Sequence, residues 1–176
     1  MRRIWRHGVI AAIIAAWVVG EPRATSACTQ QPPRGKTAVG EELPEPVSEA
    51  IRLLRWSGDD LPRIQVVDAR PRDATPNAQA WIRVDPEGRV VPIIFVLADT
   101  EVYRDAARGD YQAKVRLAGV LAHERWHLRH GPDEIGAYTV QLSTMEYLNA
   151  NTMHLAQVRQ ALRWVKEQAA KKPAVQ

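Results

Sequence analysis

The stretch 115–138, VRLAGVLAHERWHLRHGPDEIGAY, carries the pattern from which the rest of the chain is read. Within it, His123-Glu124-Arg125-Trp126-His127 forms an HExxH. On a helix, His123 and His127 stand one turn apart on one face, where two imidazoles can grip one ion. Glu124 lies about 100° further round the helix, within reach of a water on that ion. The flanks read as helix: Leu117, Val120, Leu121 and Leu128 recur at helical spacing. Gly131 then serves as a C-cap and Pro132 opens a new element. The motif helix is expected over 111–130, entered through a turn at Gly109-Asp110.

A catalytic zinc site takes three protein ligands and leaves one position for water. HExxH supplies two. His130 shares the face of His123 and His127, but it is seven residues beyond His123, about 10.5 Å along the axis. One zinc cannot hold both at about 2.0–2.1 Å. His130 is read instead as a neighbour of the metal or substrate, or as a positive charge at the helix end. Glu134 fits the third position. The chain reverses at Gly131-Pro132, so antiparallel packing of the next helix brings Glu134 to the height of His127. Asp133, pointing about 100° away with a shorter reach, is the alternative. Both acids also suit a helix N-terminus through the dipole. Tyr138, one turn after Glu134 on the same face, can donate to a developing oxyanion or serve as a core tyrosine. Trp126 and Trp81 are read as packing.

Outward from this centre the chain alternates short strands and helices. VSEAIRLLRW, 47–56, is helical by pattern, with Ile51, Leu54 and Trp56 inward. Strands are expected at Ile64–Asp68, Ala78–Asp85 and Arg89–Val96, with a turn at Pro86-Glu87-Gly88. Pro92 cannot donate to a ladder, so its strand lies at an edge or carries a bulge. Asp99 or Thr100 caps a short helix to about Ala107. A long helix runs from about Asp133 to Leu148, with Glu134, Tyr138, Gln141, Met145 and Leu148 on one face. Asn149-Ala150-Asn151 interrupts it, and a last amphipathic helix reaches about Ala170 with Leu155, Val158, Leu162 and Val165 inward. The expected fold class is α+β: a small antiparallel sheet packed on the motif helix, followed by two long C-terminal helices.

At 176 residues, 45% apolar and 25% charged, the chain has the make-up of one globular domain. Its net charge of +4 does not call for nucleic acid, because Arg2, Arg3, Arg6 and Arg23 against Glu21 account for +3 of it. That N-terminal charge begins a different pattern. A basic start, an apolar run from Val9 to Val19 and small residues Ala24-Thr25-Ser26-Ala27 give residues 1–27 the order of an export signal. The run is shorter than the ~20 residues of a comfortable membrane span. Cys28, the one cysteine, follows Ser26-Ala27 as a lipidated cysteine does in bacterial lipoproteins, which offers a membrane tether. It cannot form an internal disulfide. Residues 28–45 are rich in Gln, Pro, Gly and Glu and read as a flexible linker. The domain is placed at 46–170 and a frayed tail at 171–176. The expected location is outside the cytoplasm, in a bacterial periplasm or cell envelope.

HERWH followed by Glu134-Ile135-Gly136-Ala137 resembles the zincin metallopeptidases. It is most similar to their gluzincin branch, in which the third ligand is a Glu on the next helix within an ExxA-like sequence. Pro76-Asn77-Ala78-Gln79-Ala80-Trp81 resembles the Asn-Ala-x-Ala strand of the CAAX-prenyl-protease-type members. The gap of seven between His127 and Glu134 is shorter than in most gluzincins. The resemblance implies a Zn2+ site of His123, His127 and Glu134, with a sheet edge nearby that pairs with substrate. The expected activity is hydrolysis of peptide bonds in a peptide or protein, with Glu124 as general base and Tyr138 assisting. The rival reading is a zinc-binding or inactive zincin-like exported domain that works as a protein-interaction module. A scaffold needs the histidines but not Glu124. A deformylase-type hydrolase ranks last, since it would require a cysteine ligand and Cys28 sits in the linker.

Overall fold

Side-chain caps and turns divide the chain into short elements. The computed structural model describes residues 10–11, 43–58, 61–71 and 77–171. In chain order these form β1 (Ile10–Ala11), α1 (Glu45–Leu54), β2 (Arg63–Val67), β3 (Ala80–Val84), β4 (Val90–Leu97), α2 (Glu101–Ala107), α3 (Tyr111–His130), α4 (Glu134–Tyr147) and α5 (Thr152–Lys171). Most helices begin at a polar cap. Thr100 Oγ1 accepts from Tyr103 N–H at 3.2 Å and Asp110 Oδ1 from Ala113 N–H at 2.8 Å. Asp133 Oδ1 accepts from Gly136 N–H at 3.0 Å and Asn151 Oδ1 from His154 N–H at 2.8 Å. Each satisfies an amide that the first helical turn leaves orphaned. The motif helix has the expected bounds, and the class is α+β, with two long helices at the C-terminal end.

The sheet is mixed, where an antiparallel one was expected. Its order is β1-β3-β4-β2: β3 is antiparallel to β4, but β2 is parallel to β4. The physical reason lies in β4. VVPIIFVL is a continuous apolar run, which suits a strand flanked on both sides and covered on both faces. The tight turn at 85–89 pairs β3 with β4, and Asp85 Oδ1 accepts from Arg89 N–H at 2.8 Å. β2 then takes the free side of β4. Pro92 sits at the expected irregularity. Between the pairs Trp81↔Phe95 and Arg83↔Val91, one residue of β3 faces three of β4, so Pro92 owes the ladder no hydrogen bond.

One face of the sheet packs on α3, where Ala80, Ile82, Ile94 and Val96 join Val115, Leu117, Val120 and Leu121 in a single buried cluster. Helices α1, α2 and α4 also pack against α3. It is therefore buried on nearly every side, and its apolar residues follow no single stripe. On the other sheet face, Trp81 stacks on Phe95 with ring centroids 5.9 Å apart, beside Ala78 and Leu97. Trp81 is thus a packing residue.

Of the expected export signal, only Ile10–Ala11 falls among the described residues, paired with Ile82 and Trp81 at the outer side of β3. Cys28 and nearly all of the expected linker lie outside them. Among the described residues, no helix is long and apolar enough to cross a membrane.

Two glycines let α4 approach α3. A Cβ at Gly119 would lie 2.7 Å from Met145 Cγ, and one at Gly136 would lie 2.5 Å from the Trp126 indole carbons and against Asp133 Oδ2. Met145 is flexible and can yield; the indole and the helix cap cannot. Gly136→Ala is expected to destabilise the protein by about 1–3 kcal/mol in urea unfolding, and Gly119→Ala by less.

Candidate metal centre

The end of α3 and the start of α4 are joined by Gly131, Pro132 and Asp133. Gly131 has φ of +72°, which favours a residue without Cβ. Its N–H donates to His127 O at 2.9 Å, and its own carbonyl accepts from His127 Nδ1 at 2.8 Å. The turn that ends the helix therefore also orients one imidazole. Across the gap, His123 Nδ1 lies 3.1 Å from Gln141 Oε1 on α4. Both rings consequently direct Nε2 to the same place, 3.1 Å apart. Glu134 completes the group, with Oε2 at 3.6 Å from His123 Nε2 and Oε1 at 3.6 Å from His127 Nε2.

This donor set is electron-rich. The Gly131 carbonyl can only accept, so Nδ1 of His127 carries a hydrogen and Nε2 of the neutral ring carries a lone pair. With Gln141 oxygen on His123, the same holds there. Two lone pairs and a carboxylate then converge on one point. His123, His127 and Glu134 each offer a ligand atom, all within 4.8 Å of one another, and the group can hold a metal ion. Imidazole nitrogens and one carboxylate suit zinc and its divalent neighbours. The hydrogen bonds from Nδ1 to Gln141 and Gly131 are of the kind that fix ring orientation behind a metal.

The electrostatics agree with a cation at this point. Burial pushes His123 down to about 3, helped by His127 beside it and opposed by Gln141, so this ring is held neutral. Burial also works against a charge on His127, but Glu134, the Gly131 carbonyl and Glu124 outweigh it and raise its pKa. Glu124, with 0% exposure, is pushed up to about 8 by burial and by Glu134, although His127 opposes the shift. Neither of its oxygens, nor Glu134 Oε2, has a hydrogen-bond partner among the described residues. Orphaned buried carboxylate oxygens are costly, and a metal with a bound water would relieve them.

The remaining expected residues separate clearly. Asp133 faces elsewhere: Oδ1 caps α4, and Oδ2 accepts from Trp126 Nε1 at 3.2 Å. Trp126 stacks on His130 with centroids 3.7 Å apart, and His130 Nδ1 donates to Trp126 O at 3.1 Å. His130 is exposed and stands outside the donor group, finishing the helix. Tyr138 is 1% exposed, with its ring edge-on to His123 at 4.6 Å. Burial, then Glu134 and Glu124, raise its pKa, so the hydroxyl stays protonated. The sequence did not single out Gln141 or the Gly131 carbonyl as partners of the histidines. For Gln141 the available signal was its place seven residues after Glu134, on the same helical face.

No family model matches the chain, and neither the curated proteins nor the solved structures include a significant match to it.

A pH dependence follows for the metal-free protein. The unfolded Glu124 ionises near 4.5, the folded one near 8. Between these values the unfolded chain has released a proton that the folded chain keeps, so rising pH favours unfolding. Glu124→Gln removes this term. Metal-free Glu124→Gln is expected to gain several degrees in melting temperature relative to wild type at pH 8, and to gain less as the pH falls toward 4.5.

Proposed function

We propose that this chain is an exported zinc metallopeptidase of the zincin type, hydrolysing peptide bonds in a peptide or protein substrate. The observation that carries the reading is Glu124, fully buried next to His123, with both oxygens unpartnered among the described residues. A purely structural metal site has no use for such a group. The similarity of HERWH and Glu134-Ile135-Gly136-Ala137 to the gluzincin pattern points the same way.

In this reading His123, His127 and Glu134 hold the zinc, which when bound supplies a Lewis acid that polarises the carbonyl and lowers the pKa of water toward ~7. Glu124 takes the proton from the attacking water and delivers it to the leaving amine. Its burial favours the protonated form, which equips it for the second half of that transfer. Tyr138 keeps its proton and is the proposed neutral donor toward the developing oxyanion. Gln141 and the Gly131 carbonyl orient the two imidazoles.

Export is part of the same proposal. The basic start, apolar run and small residues of 1–27 support removal of a leader, with Cys28 as a lipid anchor point. Mass spectrometry of native protein is expected to find a mature chain beginning at or near Cys28. Cytoplasmic protein with an intact Met1 would exclude export.

Two substitutions test the chemistry. Glu124→Gln is expected to keep stoichiometric zinc and lose roughly 10²-fold or more of the peptidase rate. Glu134→Gln is expected to lose zinc, because a neutral amide is a poorer ligand for the cation. Equal zinc loss in both would show the roles to be wrongly assigned. A zinc-loaded wild type that cleaves nothing in a broad peptide library, with a biological effect that survives Glu124→Gln, would identify an interaction module instead.

A further inference from the structure

Gln141 meets His123 from α4. It is 2% exposed, and its Oε1 lies 3.1 Å from Nδ1. It packs close to α3: a Cβ at Gly119 would lie 3.4 Å from its Cγ. The side chain is thus pinned, but its amide end can present either of two groups to the same ring nitrogen. The oxygen accepts, and the NH2 donates. That choice decides the other side of the imidazole. With oxygen toward Nδ1, the ring hydrogen sits there and Nε2 offers its lone pair to a metal. With NH2 toward Nδ1, the hydrogen moves to Nε2, which is 3.1 Å from His127 Nε2 and within hydrogen-bond distance. His127 has no such freedom, because the Gly131 carbonyl at 2.8 Å only accepts.

One backbone therefore supports two satisfied arrangements when both rings are neutral. In one, two lone pairs await a cation. In the other, His123 donates to His127 and the site is closed without one. We propose that Gln141 is a positioning residue that selects between them: with its oxygen toward Nδ1, as at 3.1 Å here, it sets the metal-ready arrangement, and by turning its amide it lets the site close through a His123–His127 hydrogen bond when metal is absent. The inference rests on the metal-centre reading above and deepens it. A carboxylate at 141 would accept from Nδ1 in both states and hold the open arrangement permanently. A leucine would support neither.

The test uses the full chain as wild type, Gln141→Glu and Gln141→Leu. Nitrogen-15 NMR of the histidine rings reads the tautomer at alkaline pH, where both rings are neutral, and chelator competition reads zinc affinity. Metal-free wild type is expected to carry the His123 hydrogen on Nε2 and to move it to Nδ1 on adding zinc. Gln141→Glu is expected to carry it on Nδ1 throughout and to bind zinc about 10-fold more tightly, and Gln141→Leu to bind it about 10-fold more weakly. The same metal-free tautomer in wild type and Gln141→Glu, with all three zinc affinities within about twofold, would overturn the role of Gln141 alone. A wild-type chain that binds no zinc would overturn the metal-centre reading, and this inference with it.

Discussion

Taking an ionisable side chain out of water costs several kcal/mol unless something compensates for the lost solvation. Helix α3 does this three times within five residues: His123, Glu124 and His127 are all fully buried. The surroundings divide into those that compensate and those that leave a demand. The Gly131 carbonyl and Gln141 satisfy the far side of each imidazole. The near sides face each other and Glu134, and the Glu124 oxygens have no hydrogen-bond partner among the described residues. The unmet demand is concentrated on one spot between two helices, and its sign is negative. A protein that only needed a helix core at this position would be more stable with aliphatic side chains there. The apolar shell of sheet, α1 and α2 around α3 supplies the rigidity with which α4 presses Glu134 and Gln141 onto that spot.

Much of this was legible in the chain because its signals are local. Asp110 and Gly131 bracket α3 with side-chain and backbone caps that depend on neighbouring residues alone. The pairing of His123 and His127 needs only helical periodicity. Glu134 follows from a reversal three residues long. The choice between Glu134 and Asp133 was harder, although Asp133 has the position of an N-cap after a proline, and an N-cap side chain turns back on its own helix. What the chain did not disclose is non-local. The parallel pairing of β2 with β4 depends on which strand takes the middle of the sheet. That is decided by burial on both faces and not by any turn signal. The meeting of Gln141 with His123 depends on the distance between two helices, set by Gly119 against Met145. A helical wheel gives the face on which Gln141 lies, but not what it meets.

The tight reversal at Gly131-Pro132-Asp133 has a kinetic consequence. All three donors fall within residues 123–134, and their supporting acceptors within 123–141. Bringing them together closes a loop of about a dozen residues, and closure entropy grows only as the logarithm of loop length. The β2–β4 pairing, by contrast, must wait for some thirty residues of intervening chain to be arranged. Contacts of short sequence separation form first. The helical hairpin of α3 and α4 can therefore bring the three candidate donors together before the sheet is assembled, and an ion captured at that stage would act as a crosslink from which the remainder of the domain condenses.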